Sequence, residues 1–283
     1  MLALAVAHDA ETFQRMRDPL ADRGIRAEHV SVREAVTDLS APPFDPTDFD
    51  VGFVFPGRLM EGGVVDALLA VPWVNDRTAV LRSRNKAGTL ARLAAAGVPV
   101  PETVYVSNPA DEDDVRAAFA GFDGPVVVKP NSTTRGVGVA KVHDADSLAG
   151  VTDYLDLIHD YRATGDKSYL VQEYLPNATD YRVMVLDGEV VGAVRREAPG
   201  GWKHNVHRGA DATGVDLPDE LRELAVDAAD ALGVDWLGVD VLVSGDCAVV
   251  NETNARPTID DETKYQAGFY DRLAALVERT AEQ

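Results

Sequence analysis

Two short stretches toward the C-terminal end carry the residues best suited to chemistry. They are Val239-Asp240-Val241 and Val249-Val250-Asn251-Glu252-Thr253-Asn254. Side chains on a strand alternate between faces, so Glu252 and Asn254, two apart, share one face. With a three-residue loop over Gly245 to Cys247, Asp240 is expected opposite Glu252 on that face. Two carboxylates and a carboxamide then converge among valines that exclude water. Carboxylates held that close call for a cation, and an all-oxygen donor set suits magnesium or manganese rather than zinc. The plain alternative is a hairpin with its acidic residues on a solvated face.

Other residues point to a bound polyphosphate. Val126-Val127-Val128-Lys129 ends a buried strand on a lysine, and Gly136-Val137-Gly138-Val139 follows seven residues later. Glycines at Gly136 and Gly138 let backbone N–H groups approach phosphate oxygens, and Lys129 adds a point charge. The segment is neither a GxxxxGK[ST] loop nor a dinucleotide fingerprint, since the third glycine is missing and a strand follows. Taken alone, such a turn is more often an ordinary hairpin. Lys86 is placed to reach the same anion, or is a solvated helix lysine. The strand Leu170 to Gln172 runs through Glu173 and Tyr174 into Pro176, and backbone groups there suit an adenine edge. Asp180 suits ribose hydroxyls.

Between Asp180 and Ala210, Arg182, Arg195, Arg196, Lys203 and Arg208 face four acids, Asp180, Asp187, Glu189 and Glu197. In a chain of net charge -20 this basic island stands out. It suits a triphosphate and an anionic co-substrate. Pairing with the neighbouring acids is an equal reading for Arg196 and Arg208. His204 and His207 raise zinc, but no third ligand accompanies them.

The positioning elements follow from composition and pattern. The 283 residues, 46% hydrophobic with a mean hydropathy of -0.13, fit a globular chain with room for two domains. Cys247 is the one cysteine, which excludes an internal disulfide and fits a reducing, cytoplasmic compartment. Met1 to Ala7 reads as a first strand rather than a targeting segment, and no stretch has the ~18 apolar residues of a membrane span. The acidity argues against general nucleic-acid binding. Six lysines among the 27 basic residues leave 21 arginines, a balance that resembles proteins of salt-loving organisms.

Alternating strands and helices over the first hundred residues predict a small doubly wound α/β unit. Its strands are expected at Leu2 to Ala7, Glu28 to Val32 and Val51 to Phe55. A helix opened by Asp9 runs to about Arg23. A single helical stretch is expected from Asn75 to about Ala96, stopped by Gly97. A second unit begins at Thr103, with strands at 103–106, 125–129, 137–142, 169–172, 181–186 and 189–195. Helices are expected over 111–120, 145–159, 217–232 and 262–279, and Asp187-Gly188 is a strong hairpin turn.

Taken in order, Lys86, VVVKP with GVGV, VQEYLP, TDYRV, HNVHRGA, GVDVL and VNETN resemble the ATP-grasp carboxylate-amine ligases. The nearest likeness is to the RimK-like alpha-L-glutamate ligases, from about Asn75 to the end. That resemblance implies an ATP-grasp fold, α/β with α+β character in the grasp part. A pre-grasp domain would cover 1–74 and the grasp domain 75–283, with a central subdomain of about 98–176 and a C-terminal one of about 177–283.

The resemblance also implies roles. Lys86, Lys129, Gly136 and Gly138 would hold ATP phosphates, with Lys203 beside them. Gln172, Glu173 and Tyr174 would read adenine, and Asp180 would contact the nucleotide. Asp240, Glu252 and Asn254 would bind two Mg2+ or Mn2+ ions. Lys203, Asn205 and Arg195 would be catalytic. The implied reaction joins an amino acid, glutamate favoured, to an acceptor carboxylate through an acyl phosphate. The acceptor would be a protein tail, carrier protein, peptide or coenzyme, with no membrane partner, and a homo-oligomer is compatible with the sequence. An ATP-grasp kinase and a non-catalytic ATP-binding module are the alternatives. Two departures bear on substrate identity. Ala255-Arg256-Pro257-Thr258 follows Asn254 where relatives usually have Pro-Gly, which adds the charge of Arg256 near the acceptor side. Ser132 to Arg135 stands where relatives often have Glu-Gly-Thr.

Overall fold

A computed structural model of the chain describes residues 1–133, 136–161, 166–197 and 211–283. Its strands form three sheets. The first contains β1 (Leu2–Val6), β2 (Ile25–His29), β3 (Val51–Phe53) and β4 (Trp73–Val74) in the order β2-β1-β3-β4. All its pairings are parallel. Runs such as Leu4-Ala5-Val6 are buried throughout, as parallel strands covered on both faces require. α1 (Ala10–Ala21) starts where expected, with Asp9 accepting from the Thr12 N–H at 2.8 Å.

This sheet corrects three expectations. β2 begins at Ile25 rather than Glu28, because Ile25 and Ala27 are its buried positions. A helix, α2 (Leu59–Leu69), and the strand β4 both went unforeseen. The Gly62-Gly63 pair hides α2 from propensity, yet Gly62 is where the helix touches the sheet. A Cβ there would lie 2.6 Å from the Phe55 ring.

The helical stretch after Asn75 is two helices, α3 (Arg77–Arg84) and α4 (Lys86–Ala95). Asn85 breaks it, ending one helix and capping the next by accepting from the Gly88 N–H at 3.0 Å. The second sheet, in the order β5-β8-β6-β7, is antiparallel. It comprises β5 (Thr103–Val106), β6 (Val126–Pro130), β7 (Ala140–Val142) and β8 (Tyr169–Glu173). α5 (Glu112–Ala120) and α6 (Ala145–Tyr161) share a core with one face, through Val115, Val126, Val128, Leu148 and Val171.

The third sheet, ordered β11-β10-β9-β12-β13, is antiparallel. It comprises β9 (Thr179–Leu186), β10 (Glu189–Glu197), β11 (Asp211–Gly214), β12 (Trp236–Ser244) and β13 (Cys247–Asn254). α7 (Asp219–Leu232) covers one face, packing Leu224, Ala225 and Ala228 with Val183, Val185, Val239 and Val241. The expected terminal helix is shorter: a single turn at Glu262–Lys264, then α8 (Phe269–Ala281). On the other face, Met184, Leu186 and Trp236 join α8 and the first sheet in one core. Asn75 locks this junction. Its side-chain amide donates to Trp236 O and, at 2.7 Å, to Ala255 O, while its own backbone is left-handed at φ 55°. Among the described residues no helix is long and apolar enough to cross a membrane.

Candidate active site

The β12–β13 hairpin sets the site. Its loop is two residues, Gly245-Asp246, since Ser244 already pairs with Cys247; the three-residue loop is corrected. Gly245 takes a left-handed φ of 60°, as this tight connection requires. A two-residue loop alone would pair Asp240 with Asn251. Instead a bulge intervenes: Val241 pairs with Val250, and Asp240 with Glu252, leaving Asn251 as the extra residue. Asp240 and Glu252 therefore do stand opposite each other, and Asn254 sits two residues on, opposite Gly238.

Strand alternation carries the same face across four strands. Asp240 pairs with Arg182 on β9, and Asp180 pairs with Arg196 on β10. The Arg182 guanidinium grips both oxygens of Asp240, the second at 2.9 Å. Arg196 lies 2.5 Å from Asp180 Oδ1 and 3.1 Å from Asp240 Oδ2. Burial would raise the Asp240 carboxyl pKa, but the charges and hydrogen bonds of Arg182 and Arg196 outweigh it and hold the group below the usual carboxylate range. Burial likewise opposes the Arg196 charge, and Asp240 and Asp180 more than restore it.

Two buried lysines complete the cluster. Lys86 opens α4, which is latched to the loop after β6. The Ala87 N–H donates to Asn131 Oδ1 at 2.9 Å, and Asn131 Nδ2 donates to Asn85 Oδ1 at 3.0 Å. The break at Asn85 thus puts Lys86 at a helix start, with its ammonium bound to Thr133 O and 3.4 Å from Glu252. Lys129 donates to Asn251 Oδ1 at 3.2 Å, tying the second sheet to the bulge of the third. Burial lowers the Lys129 pKa to about 8, with Lys86 adding to the effect and Glu252 and Asp240 opposing it. Gly136 and Gly138 in the following loop are both left-handed, and a Cβ at Gly138 would lie 2.8 Å from Pro130.

Lys129 and Gln172 share the second-sheet face opposite its helices, with Lys141 beside them. Gln172 is buried and donates to Thr103 Oγ1 at 2.9 Å. The N–H groups of Glu173 and Tyr174 donate to Glu102 O and Pro125 O at 2.9 and 3.1 Å, so these donors are committed to the sheet. The Lys141 ammonium sits 3.5 Å from the centre of the Tyr174 ring. Arg195 is not brought to the cluster. It occupies the alternate face of β10, exposed and paired with Glu197 at 3.0 Å, while its neighbour Arg196 takes the inner position. Lys203 and Asn205, with His204, His207 and Arg208, lie outside the described residues.

Sequence reasoning gives Asn251 no role and Arg182 none beyond membership of the basic island. Of the two equal readings for Arg196, polyphosphate cation or ion pair, the structure shows the pairing, with Asp180 and Asp240. Arg182 lies two residues from Asp180 in TDYRV, so alternation alone placed it on the Asp180 face. The β9–β12 register that brings it to Asp240 had no local signal.

Charge and donor chemistry fit a metal-bound polyphosphate. Four cations, Arg182, Arg196, Lys86 and Lys129, face three carboxylates, Asp180, Asp240 and Glu252, so the cluster is net positive inside an acidic chain. A carboxylate has about four acceptor positions. Those of Asp240 meet three arginine N–H groups, which leaves room for one metal bond. Glu252 is one-third exposed and Asn254 Oδ1 accepts a single N–H, from Arg256 at 2.9 Å, so both have capacity for a hard cation.

Comparison with known proteins shows the family to which the chain belongs. Residues 83–269 match the model of the RimK-like ATP-grasp domain. The chain is 34% identical over 212 residues to a probable alpha-L-glutamate ligase of Klebsiella pneumoniae, covering 74% of this chain and 68% of that protein. It superposes on a RimK domain ATP-grasp protein from Sphaerobacter thermophilus with a TM-score of 0.68, at 24% identity over 99% of this chain and 100% of the other. It also matches the ATP-grasp ligase PsnB, solved with a minimal precursor, Mg and ADP. There the TM-score is 0.68 at 18% identity, over 99% and 97% of the two chains.

Proposed function

Because this chain belongs to the RimK-like ATP-grasp family, we propose that it joins an amino acid to an acceptor carboxylate through an acyl phosphate. It is an ADP-forming ATP-grasp ligase of the carboxylate-amine type, with glutamate the favoured amino acid. The grasp unit is taken as 75–283 and the pre-grasp unit as 1–74. The lone cysteine favours a reducing compartment, and we assign the reaction to the cytoplasm.

The observation that supports this reading most is the pairing of Asp240 with Glu252 beneath two buried lysines. In the proposed reaction an acceptor carboxylate oxygen attacks the γ-phosphorus, ADP leaves, and an amine nitrogen then displaces phosphate from the acyl carbon. Lys86 and Lys129 offset the phosphate charge, with the left-handed turn at Gly136 and Gly138 approaching the same oxygens. Arg182 and Arg196 keep Asp240 ionised and oriented. Asp240, Glu252 and Asn254 would hold two magnesium or manganese ions, which supply charge neutralisation at the phosphates. Gln172, Glu173 and Tyr174 line the adenine position, and Asp180 lies toward the ribose. Lys203 and Asn205 are proposed to act at the transferred group.

The test is ADP release by the full chain with Mg-ATP and pooled carboxylates, with and without glutamate, beside Glu252→Gln. Release that needs both acceptor and amine, and vanishes in the variant, is expected. Release independent of any amine would point to a kinase instead.

A further inference from the structure

Arginines shielded from solvent in this protein carry a carboxylate, with two exceptions. Among the described residues, each buried or half-buried arginine pairs with Asp or Glu apart from Arg84 and Arg256. The chain has 47 acidic residues against 27 basic ones, so counter-ions are not scarce. Two guanidiniums withdrawn from water without one imply an anion supplied from elsewhere.

The two belong together. Arg84 ends α3 and Arg256 follows β13, and the preceding residues are bonded, with the Ala255 N–H donating to Ser83 Oγ at 2.9 Å. The Arg256 guanidinium donates to Val54 O, Phe55 O and Ala7 O, at the C-terminal ends of β3 and β1. These carbonyls orient the group but do not neutralise it. Its Nε–H and one terminal N–H stay available, and Gly57 provides the space: a Cβ there would lie 3.2 Å from Nε. Burial, with the charge of Arg84, lowers the Arg256 pKa to about 10. Asp9, the nearby acid, opposes that shift but is itself bonded to His8 and the Thr12 N–H. The Arg256 backbone N–H donates to Asn254 Oδ1, which places the pair beside one of the candidate metal ligands.

We infer that Arg84 and Arg256 together bind a second carboxylate of a substrate, one that is not activated, so that this enzyme handles a substrate carrying two anionic groups. The inference rests on the ligase reading above. The incoming amino acid and the acceptor are both candidates to carry this group.

The test uses Arg84→Gln, because Arg84 makes no bond that folding would lose, whereas Arg256 variants would also unpin the β1 and β3 ends. The full chain with Mg-ADP is titrated calorimetrically with glutarate and with its monoamide, glutaramate, at fixed ionic strength. Glutarate is expected to bind at least about tenfold more tightly, the scale of a charge-assisted bidentate contact. Arg84→Gln should remove most of that preference without changing Mg-ADP affinity, and Arg84→Lys should restore part of it. Equal affinities, no binding of either probe, or a preference that survives Arg84→Gln would overturn the inference. Displacement of glutarate by L-glutamate would assign the site to the amino acid, and lack of displacement to the acceptor. A native chain that shows no anion preference yet releases ADP in an amine-dependent way refutes this site alone. An intact preference without such release refutes the ligase reading instead.

Discussion

Lys129 makes nucleotide binding pH-dependent in a range where neither phosphates nor ordinary lysines titrate. With its pKa at about 8, it is about nine-tenths charged at pH 7, half charged at pH 8 and about one-tenth charged at pH 9. A triphosphate beside it favours the ammonium and raises the pKa again. Binding must then take up about 0.1 proton at pH 7 and about 0.9 at pH 9, and affinity should fall about tenfold per pH unit above 8. The assay is calorimetric titration with Mg-ADP in pairs of buffers that differ in ionisation enthalpy, for the native chain and Lys129→Met. The variant should bind weakly but with a flat response to pH. The same linkage acts on stability. Below pH 8 Lys129 is charged in both folded and unfolded chains, and its burial penalty is fully present. As pH rises from about 8 to 10.5 the unfolded chain holds more protons, so this group's contribution to stability improves with pH. Zero proton uptake at pH 9, or an equal slope in Lys129→Met, would refute the burial argument.

Other perturbations test the scaffold. Asp240→Asn leaves Arg182 without its carboxylate and Arg196 with Asp180 alone, and should cost about 3 kcal/mol in urea unfolding as well as abolish metal-dependent turnover. Asn75→Ala removes bonds to Trp236 and Ala255 and leaves a β-carbon residue at φ 55°, for a loss of about 3 kcal/mol. Asn75→Gly should recover the backbone share of that loss. Gly192→Ala drives a Cβ into the Lys264 carbonyl oxygen and should lower stability by about 2 kcal/mol, with faster proteolysis around 262–266. An unchanged melting curve in any of the three would contradict the corresponding packing argument.

Much of the fold was readable because it rests on local signals. Asp9 caps α1, Asp187-Gly188 turns β9 into β10, and Gly233 stops α7, each through chemistry confined to a few residues. The hairpin shows how a correct pairing can rest on a wrong premise. Asp240 meets Glu252 not through a three-residue loop but through a two-residue turn offset by the Asn251 bulge. A bulge leaves no mark on a hydrophobic pattern, so the two deviations were invisible and cancelled. The choice between Arg195 and Arg196 depended on strand parity, which the sequence carries: Arg196 is in phase with Val194, on the face away from α7. The role of Arg182 was not legible, since it depends on a register between strands 58 residues apart. The family motifs succeeded where single residues were ambiguous, because their order constrains all of them together.

The most direct test of the account follows an oxygen atom. Acceptor carboxylates labelled with 18O are incubated with the full chain, Mg-ATP and glutamate, and the released phosphate is weighed by mass spectrometry. An acyl phosphate requires one 18O to move from acceptor to phosphate for each amide formed. Amide formation with unlabelled phosphate would contradict the proposed mechanism.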